Sequence, residues 1–132
     1  MQSKMVVIIA LLLIVAGCGN KSALLVNTWK VQDLKYTKEI TPELQPQIDR
    51  AIEGIRQSFR LTYKADGTYT TQNNNDVLTG QWSLNWNSTV ITSRSSKGET
   101  KDYKIVELSK DKFTFKAEEN GEEVIFEMIP AN

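Results

Sequence analysis

Histidine is absent from the 132 residues, and cysteine occurs once, at Cys18. Without an imidazole there is no Ser-His or Cys-His dyad, no histidine-ligated metal and no histidine pH switch. A single cysteine forms no intrachain disulfide, no Cys-x-x-Cys redox pair and no zinc knuckle. An excess of one charge is missing too. Sixteen Lys and Arg balance 16 Asp and Glu, which leaves no broad basic field for nucleic acid. Long apolar runs are confined to one place, the N-terminus. Thirteen of the first 17 residues are apolar, against 40% for the whole chain. Behind that leader the composition is that of an ordinary soluble domain, and its length suits one domain.

Met5 to Ala16 is an uninterrupted apolar run of 12 residues, preceded by the amino terminus and Lys4. A helix spanning the hydrocarbon core needs ~20 residues, so the run fits the h-region of a secretory signal instead. It ends in Val15-Ala16-Gly17-Cys18, which resembles a bacterial lipobox. The resemblance implies a signal peptide over residues 1–17, cleaved before Cys18, and lipid attachment (diacylglyceryl and palmitate-type acyl chains) at Cys18. Two or three chains anchor durably, at ~0.8 kcal/mol per buried CH₂. Loss of Lys4 leaves 15 basic against 16 acidic residues, a net charge of −1. Residues 18–25 then form the lipidated N-terminus and a short tether, whose reach is about 25 Å at ~3.3–3.6 Å per residue. The residues after Cys18 carry no acidic cluster. The expected location is the bacterial cell envelope, lipid-anchored at the outer membrane and facing the periplasm.

From Val26 onward, turn chemistry recurs every 8–12 residues, the spacing of a sandwich or barrel. Phe59, Leu61, Tyr63 and Ala65 alternate with polar residues before Asp66-Gly67, a dipeptide suited to a type I′ hairpin. Further strands are expected around Tyr69–Thr71, Gln81–Asn85, Thr89–Thr92, Asp102–Leu108, Lys112–Ala117 and Glu123–Met128, with Asn120-Gly121 as the last hairpin signal. With Asn27–Tyr36 at the front, this makes eight strands joined by short connections. An all-β fold is predicted for residues 26–132: an eight-stranded antiparallel up-and-down barrel, which leaves no exposed edges. One segment breaks the pattern. Leu44, Ile48, Ala51, Ile52, Ile55 and Phe59 recur at helical spacing. They predict one amphipathic helix within 42–58, over one mouth of the barrel. Thr41 suits its N-cap and Pro42 its first position, although Pro46 draws the regular start further along.

Three segments then carry a wider likeness: Asn27-Thr28-Trp29-Lys30, Lys64-Ala65-Asp66-Gly67-Thr68-Tyr69 and Gly80-Gln81-Trp82-Ser83-Leu84, completed by Tyr103-Lys104-Ile105 to Leu108-Ser109. Together they resemble the small lipocalin-like lipoproteins of Bacteroidota-type bacteria. Asn27 stands where lipocalins usually have glycine. The resemblance implies a small calyx and no defined ligand.

The inward row is expected to hold Trp29, Val31, Phe59, Leu61, Tyr63, Tyr69, Trp82, Leu84, Tyr103, Ile105, Phe113, Phe115, Val124, Phe126 and Met128. Of these, Trp29, Tyr63, Tyr69, Trp82, Tyr103, Phe115 and Phe126 are the candidate ligand-lining residues. The competing expectation is a barrel filled by its own side chains. No Arg and no carboxylate falls on the inward row, which disfavours both a fatty-acid clamp and carboxylate catalysis. Asn73-Asn74-Asn75-Asp76 lacks the carboxylate spacing of a calcium loop. Glu118, Glu119, Glu122 and Glu123 read as a solvated hairpin tip, and Asn87-Ser88-Thr89 as turn chemistry. Trp86 suits either a rim contact or packing over the barrel end. No catalytic residue, metal or cofactor is assigned. The expected partners are the membrane through Cys18, a small apolar or neutral ligand, or another envelope protein, with the chain itself a monomer.

Overall fold

The computed structural model describes residues 20–131. Cys18 and the leader lie outside them. The chain runs as a short helix α1 (Asn20–Leu25), β1 (Asn27–Tyr36), α2 (Gln45–Ser58), β2 (Phe59–Tyr63), β3 (Thr68–Asn73), β4 (Asp76–Leu84), β5 (Val90–Ser95), β6 (Thr100–Leu108), β7 (Phe113–Glu119) and β8 (Glu122–Pro130). Every strand pairs antiparallel with its sequence neighbours, and β1 also pairs with β8 to close the barrel. Eight strands in up-and-down order, with a helix between the first two, is the architecture the alternation predicts.

Closure puts α1 and the β2–β3, β4–β5 and β6–β7 turns at one end of the barrel. The other end, the mouth, carries α2 and the β3–β4, β5–β6 and β7–β8 turns. The closed end is packed solid. Trp29, Tyr63, Phe113, Leu25, Ile91 and Met128 are all essentially inaccessible. Trp29 tilts against Phe113 at 5.5 Å, and Tyr63 against Trp82 at 5.1 Å. Both indoles satisfy their buried N–H groups. Trp29 Nε1 donates to the Leu25 carbonyl (3.0 Å) and Trp82 Nε1 to that of Lys64 (3.0 Å). The chain read as a tether is thus helical from Asn20, and Leu25 belongs to the core.

Two bulges reset the inward row. Pairing of β1 with β8 skips Gln32, and pairing of β6 with β7 skips Val106. An extra residue on one strand changes which face the following side chains take. After Val31, the inward residues are therefore Leu34 and Tyr36, and after Ile105 it is Leu108 that packs on the core, while Val106 is exposed.

The turns correct two local expectations. At Asp66-Gly67 only Gly67 has positive φ (89°), and the turn spans Lys64 to Gly67, whose N–H donates to the Lys64 carbonyl. A left-handed glycine after an ordinary turn replaces the two-residue type I′ loop. Asn120-Gly121, by contrast, has φ of 54° and 79° between the paired Glu119 and Glu122, as a type I′ loop requires. At α2 the N-cap is Leu44, without a side-chain cap, and Pro46 lies in the first turn. Thr41 and Pro42 belong to the turn before it, in which the Thr41 carbonyl accepts from the Leu44 and Gln45 N–H groups. Ile52 is buried and Ile48 and Ile55 pack on the core, whereas Leu44 and Ala51 face solvent.

Candidate ligand-binding cavity

The packed floor stops halfway up the barrel. Above it a cavity of about 410 Å³ opens at the mouth, partly roofed by Ile55 of α2. The competing expectation of a filled barrel holds for the lower half alone. The seven candidate lining residues divide accordingly. Tyr69, Tyr103, Phe115 and Phe126 line the cavity, while Trp29, Tyr63 and Trp82 form the floor beneath it. The β1 bulge adds Leu34 and Tyr36 to the wall, and β4 adds Leu78.

One side of the wall is an aromatic stack. Phe115 lies parallel to Phe126 at 5.0 Å and packs on Phe113 at 4.8 Å and on Tyr103 at 4.6 Å. Their positions follow from register, because Phe115 pairs with Phe126 across β7–β8 and with Ile105 across β6–β7. Such rings present flat apolar area with little side-chain freedom to lose on binding.

The adjoining stretch of wall, on β5 next to Tyr103 of β6, carries hydroxyls. Ser93 and Ser95 of β5 are buried and line the cavity. Ser95 Oγ accepts from the Lys97 and Glu99 N–H groups and so braces the β5–β6 turn. Ser93 Oγ and the Tyr63 hydroxyl have no hydrogen-bond partner among the described residues. The two lie close enough for Ser93 to ease the burial of Tyr63, yet outside hydrogen-bond geometry. Burial still pushes the Tyr63 hydroxyl far above the usual tyrosine range. Tyr69 is raised by burial and then by Glu99, and Tyr103 is pushed up to about 12 by burial and then by Glu119. All three phenols are neutral donors at physiological pH.

Two carboxylates and a lysine appear at the rim, where the inward row was expected to hold no Arg and no carboxylate. Glu99, Lys101 and Glu119 all line the mouth, with Lys101 Nζ 3.7 Å from Glu119. Glu119 continues the inward row of β7 (Phe113, Phe115, Ala117), and Lys101 that of β6 (Tyr103, Ile105). Reading the β7–β8 hairpin tip as wholly solvated missed this. Ser93 lies just past the expected strand Thr89–Thr92, although it extends the alternation begun by Ile91. The signal was present in the period of two. No arginine lines the cavity among the described residues.

Trp86 stands apart from all of this. It is 93% exposed on the β4–β5 turn at the closed end, so it neither rims the cavity nor packs over the barrel end. Asn85 builds that turn, its Oδ1 accepting from the Thr89 and Val90 N–H groups. Around Gly80 a wider, shallower hollow of about 500 Å³ opens on a largely polar stretch of wall. Among the described residues no cluster of three or more Asp, Glu, His or Cys is placed to hold a metal ion. Nor is any helix there long and apolar enough to cross a membrane.

Comparison with known proteins agrees with this geometry. A DUF4847 family protein from Bacteroides vulgatus, known from a crystal structure, superposes with a TM-score of 0.58 over 84% of this chain and 96% of its own, at 15% identity. At that identity the likeness is one of fold. No curated protein matches the sequence. The profile of the lipocalin-like domain covers residues 25–115, from the buried Leu25 to the central Phe115 of the aromatic stack. That match spans more than half of the chain, and the chain belongs to the lipocalin-like domain family.

Proposed function

We propose that the protein is a membrane-tethered binding module, one of the small lipocalin-like lipoproteins of Bacteroidota-type bacteria, that holds a small apolar or neutral molecule in the mouth of its barrel. The observation that carries this reading is the 410 Å³ cavity with its aromatic wall. That volume falls within the usual range of small-molecule sites, ~300–1,000 Å³. The lack of arginine among the lining residues argues against a carboxylate clamp, and a rim Lys–Glu pair beside tyrosines offers no activated nucleophile, so the role is one of binding rather than catalysis. The tether rests on the lipobox-like Val15-Ala16-Gly17-Cys18, and the lack of an acidic cluster after Cys18 supports the periplasmic face of the outer membrane. Native mass spectrometry of the protein extracted from cells tests both parts. A mass increment of acyl chains on Cys18, lost in Cys18→Ser, supports the tether. A co-purifying small molecule supports binding; an empty barrel that also leaves Trp fluorescence unmoved across a lipid panel would refute it.

A second reading, an interaction module for another envelope protein, is favoured by Trp86. A large aromatic held out on a braced turn is the kind of anchor that protein interfaces use. A photo-crosslinking residue at position 86 in intact cells should then capture one reproducible protein, and failure to do so counts against it.

A further inference from the structure

The polar atoms of the cavity are arranged against its depth in a way that selects one ligand chemistry. At the bottom Ser93 lines the cavity and Tyr63 lies beneath it in the floor; Ser93 Oγ and Tyr63 Oη have no hydrogen-bond partner among the described residues, and both residues are more than nine-tenths buried. Above them Leu61, Phe115 and Phe126 form an apolar face, beside the hydroxyl-bearing Tyr69, Thr71, Tyr103 and Ser95, the last already engaged in the β5–β6 turn. At the rim the charge is net negative, two carboxylates against Lys101. A buried hydroxyl without a partner is costly, and the cost is relieved by whatever group reaches it.

We infer that the ligand enters polar end first: a molecule with an apolar body and an uncharged hydrogen-bonding group, of the alcohol or carbonyl class, at its leading end. This rests on the binding reading above and sharpens it. A single alcohol oxygen both donates and accepts, so it satisfies Tyr63 and Ser93 together. A carboxylate is excluded twice, by Glu99 and Glu119 at the rim and by a floor with no cationic group to compensate its burial. An ammonium passes the rim more readily, but the floor residues Tyr63, Ser93, Trp82 and Phe113 hold no carboxylate to receive it. The apolar body then lies along the Phe115–Phe126 stack, and its trailing end emerges beneath Ile55.

The test uses four probes of one shape, 1-hexanol, hexanoate, hexylammonium and hexane. They are titrated into the full-length protein as processed in cells and stripped of lipid, with the amides of Ser93, Tyr103 and Phe115 followed by NMR. Hexanol should bind at least 10-fold more tightly than hexane and hexylammonium, with hexanoate weakest. Tyr63→Phe and Ser93→Ala should each weaken hexanol about 10-fold, leave hexane unchanged, and leave the melting temperature of the unliganded protein equal or higher, because each removes an unpaired hydroxyl. A structural role for these hydroxyls would instead lower the melting temperature and weaken every probe alike. Hexane binding as tightly as hexanol, or hexanoate binding as well as hexanol, overturns the inference while leaving the binding reading intact. If none of the probes binds and no molecule co-purifies with the protein, it is the binding reading that has failed.

Discussion

Gly80 occupies an inward position on β4, paired with Tyr69 on one side and Ser95 on the other. A Cβ placed there would lie 2.6 Å from the Tyr69 ring and would collide with the backbone carbonyl of Arg94. The ring can turn, but the carbonyl belongs to the neighbouring ladder and cannot yield without opening it. Gly80→Ala should therefore cost about 2–3 kcal/mol, seen as a lower denaturant midpoint with an unchanged slope. That gives the Gly80-Gln81-Trp82 segment of the sequence a physical meaning: glycine lets β5 approach, and Trp82 two residues on fills the floor. Tyr103 sets a second expectation. Folding holds its proton more tightly than the unfolded chain does, since its pKa rises from 10.0 to about 12. The stability it contributes is complete below pH 10 and is lost as pH climbs through about 12. Alkaline titration followed by tyrosinate absorbance should show Tyr103 ionising well after a free tyrosine, and Tyr103→Phe should retain more stability at pH 11 than the parent.

Among the elements, α2 is held over the mouth by one side chain as much as by its apolar face. The bulge in β1 frees the carbonyl of Gln32 from the β1–β8 ladder, and Arg56 Nε donates to it at 2.7 Å. The same guanidinium reaches Glu53 at 2.8 Å and Asp33 at 3.6 Å. Irregularity in the strand thus creates the socket that positions the helix. Arg56→Ala should loosen α2 at a cost of about 1 kcal/mol, small because the pairs are half exposed, with faster amide exchange at Ile52 and Ile55. Lysine should recover little, lacking the fork that meets a carbonyl and two carboxylates at once. The bulges also explain what the sequence withheld. Strand number, order and most of the inward row follow from alternation and turn dipeptides, which are local. An extra residue in a ladder leaves no mark in composition, so Leu34, Tyr36 and Leu108 were invisible on the inner face. The rim charges were legible by period but masked by their polarity, because a Glu near a hairpin tip ordinarily points to water.

At the scale of the whole molecule, the barrel divides into a packed half and an open half, and the division follows side-chain size. Trp29, Tyr63, Trp82 and Phe113 converge at one level with Ser93 beside Trp82, whereas at the level above, Ser95 and Thr71 accompany Phe115 and Phe126. Small residues among large ones leave the space. No single strand announces this, since it arises only when the barrel closes. Closure also joins the two ends of the described chain: Trp29 pairs with Pro130, and Ala131 N–H donates to the Thr28 carbonyl at 2.9 Å. A permuted chain opened at Asn120-Gly121, with Ala131 linked to Asn20 through a short Gly-Ser segment, should keep the near-UV circular dichroism of the parent. Loss of that signal would mean that the order of strand synthesis matters to the fold. Because the first and last strands meet at the packed end, whatever is attached to either end of the domain sits behind the floor. The mouth at the opposite end stays unobstructed, and a reporter fused after β8 would ride on the protein without standing in its doorway.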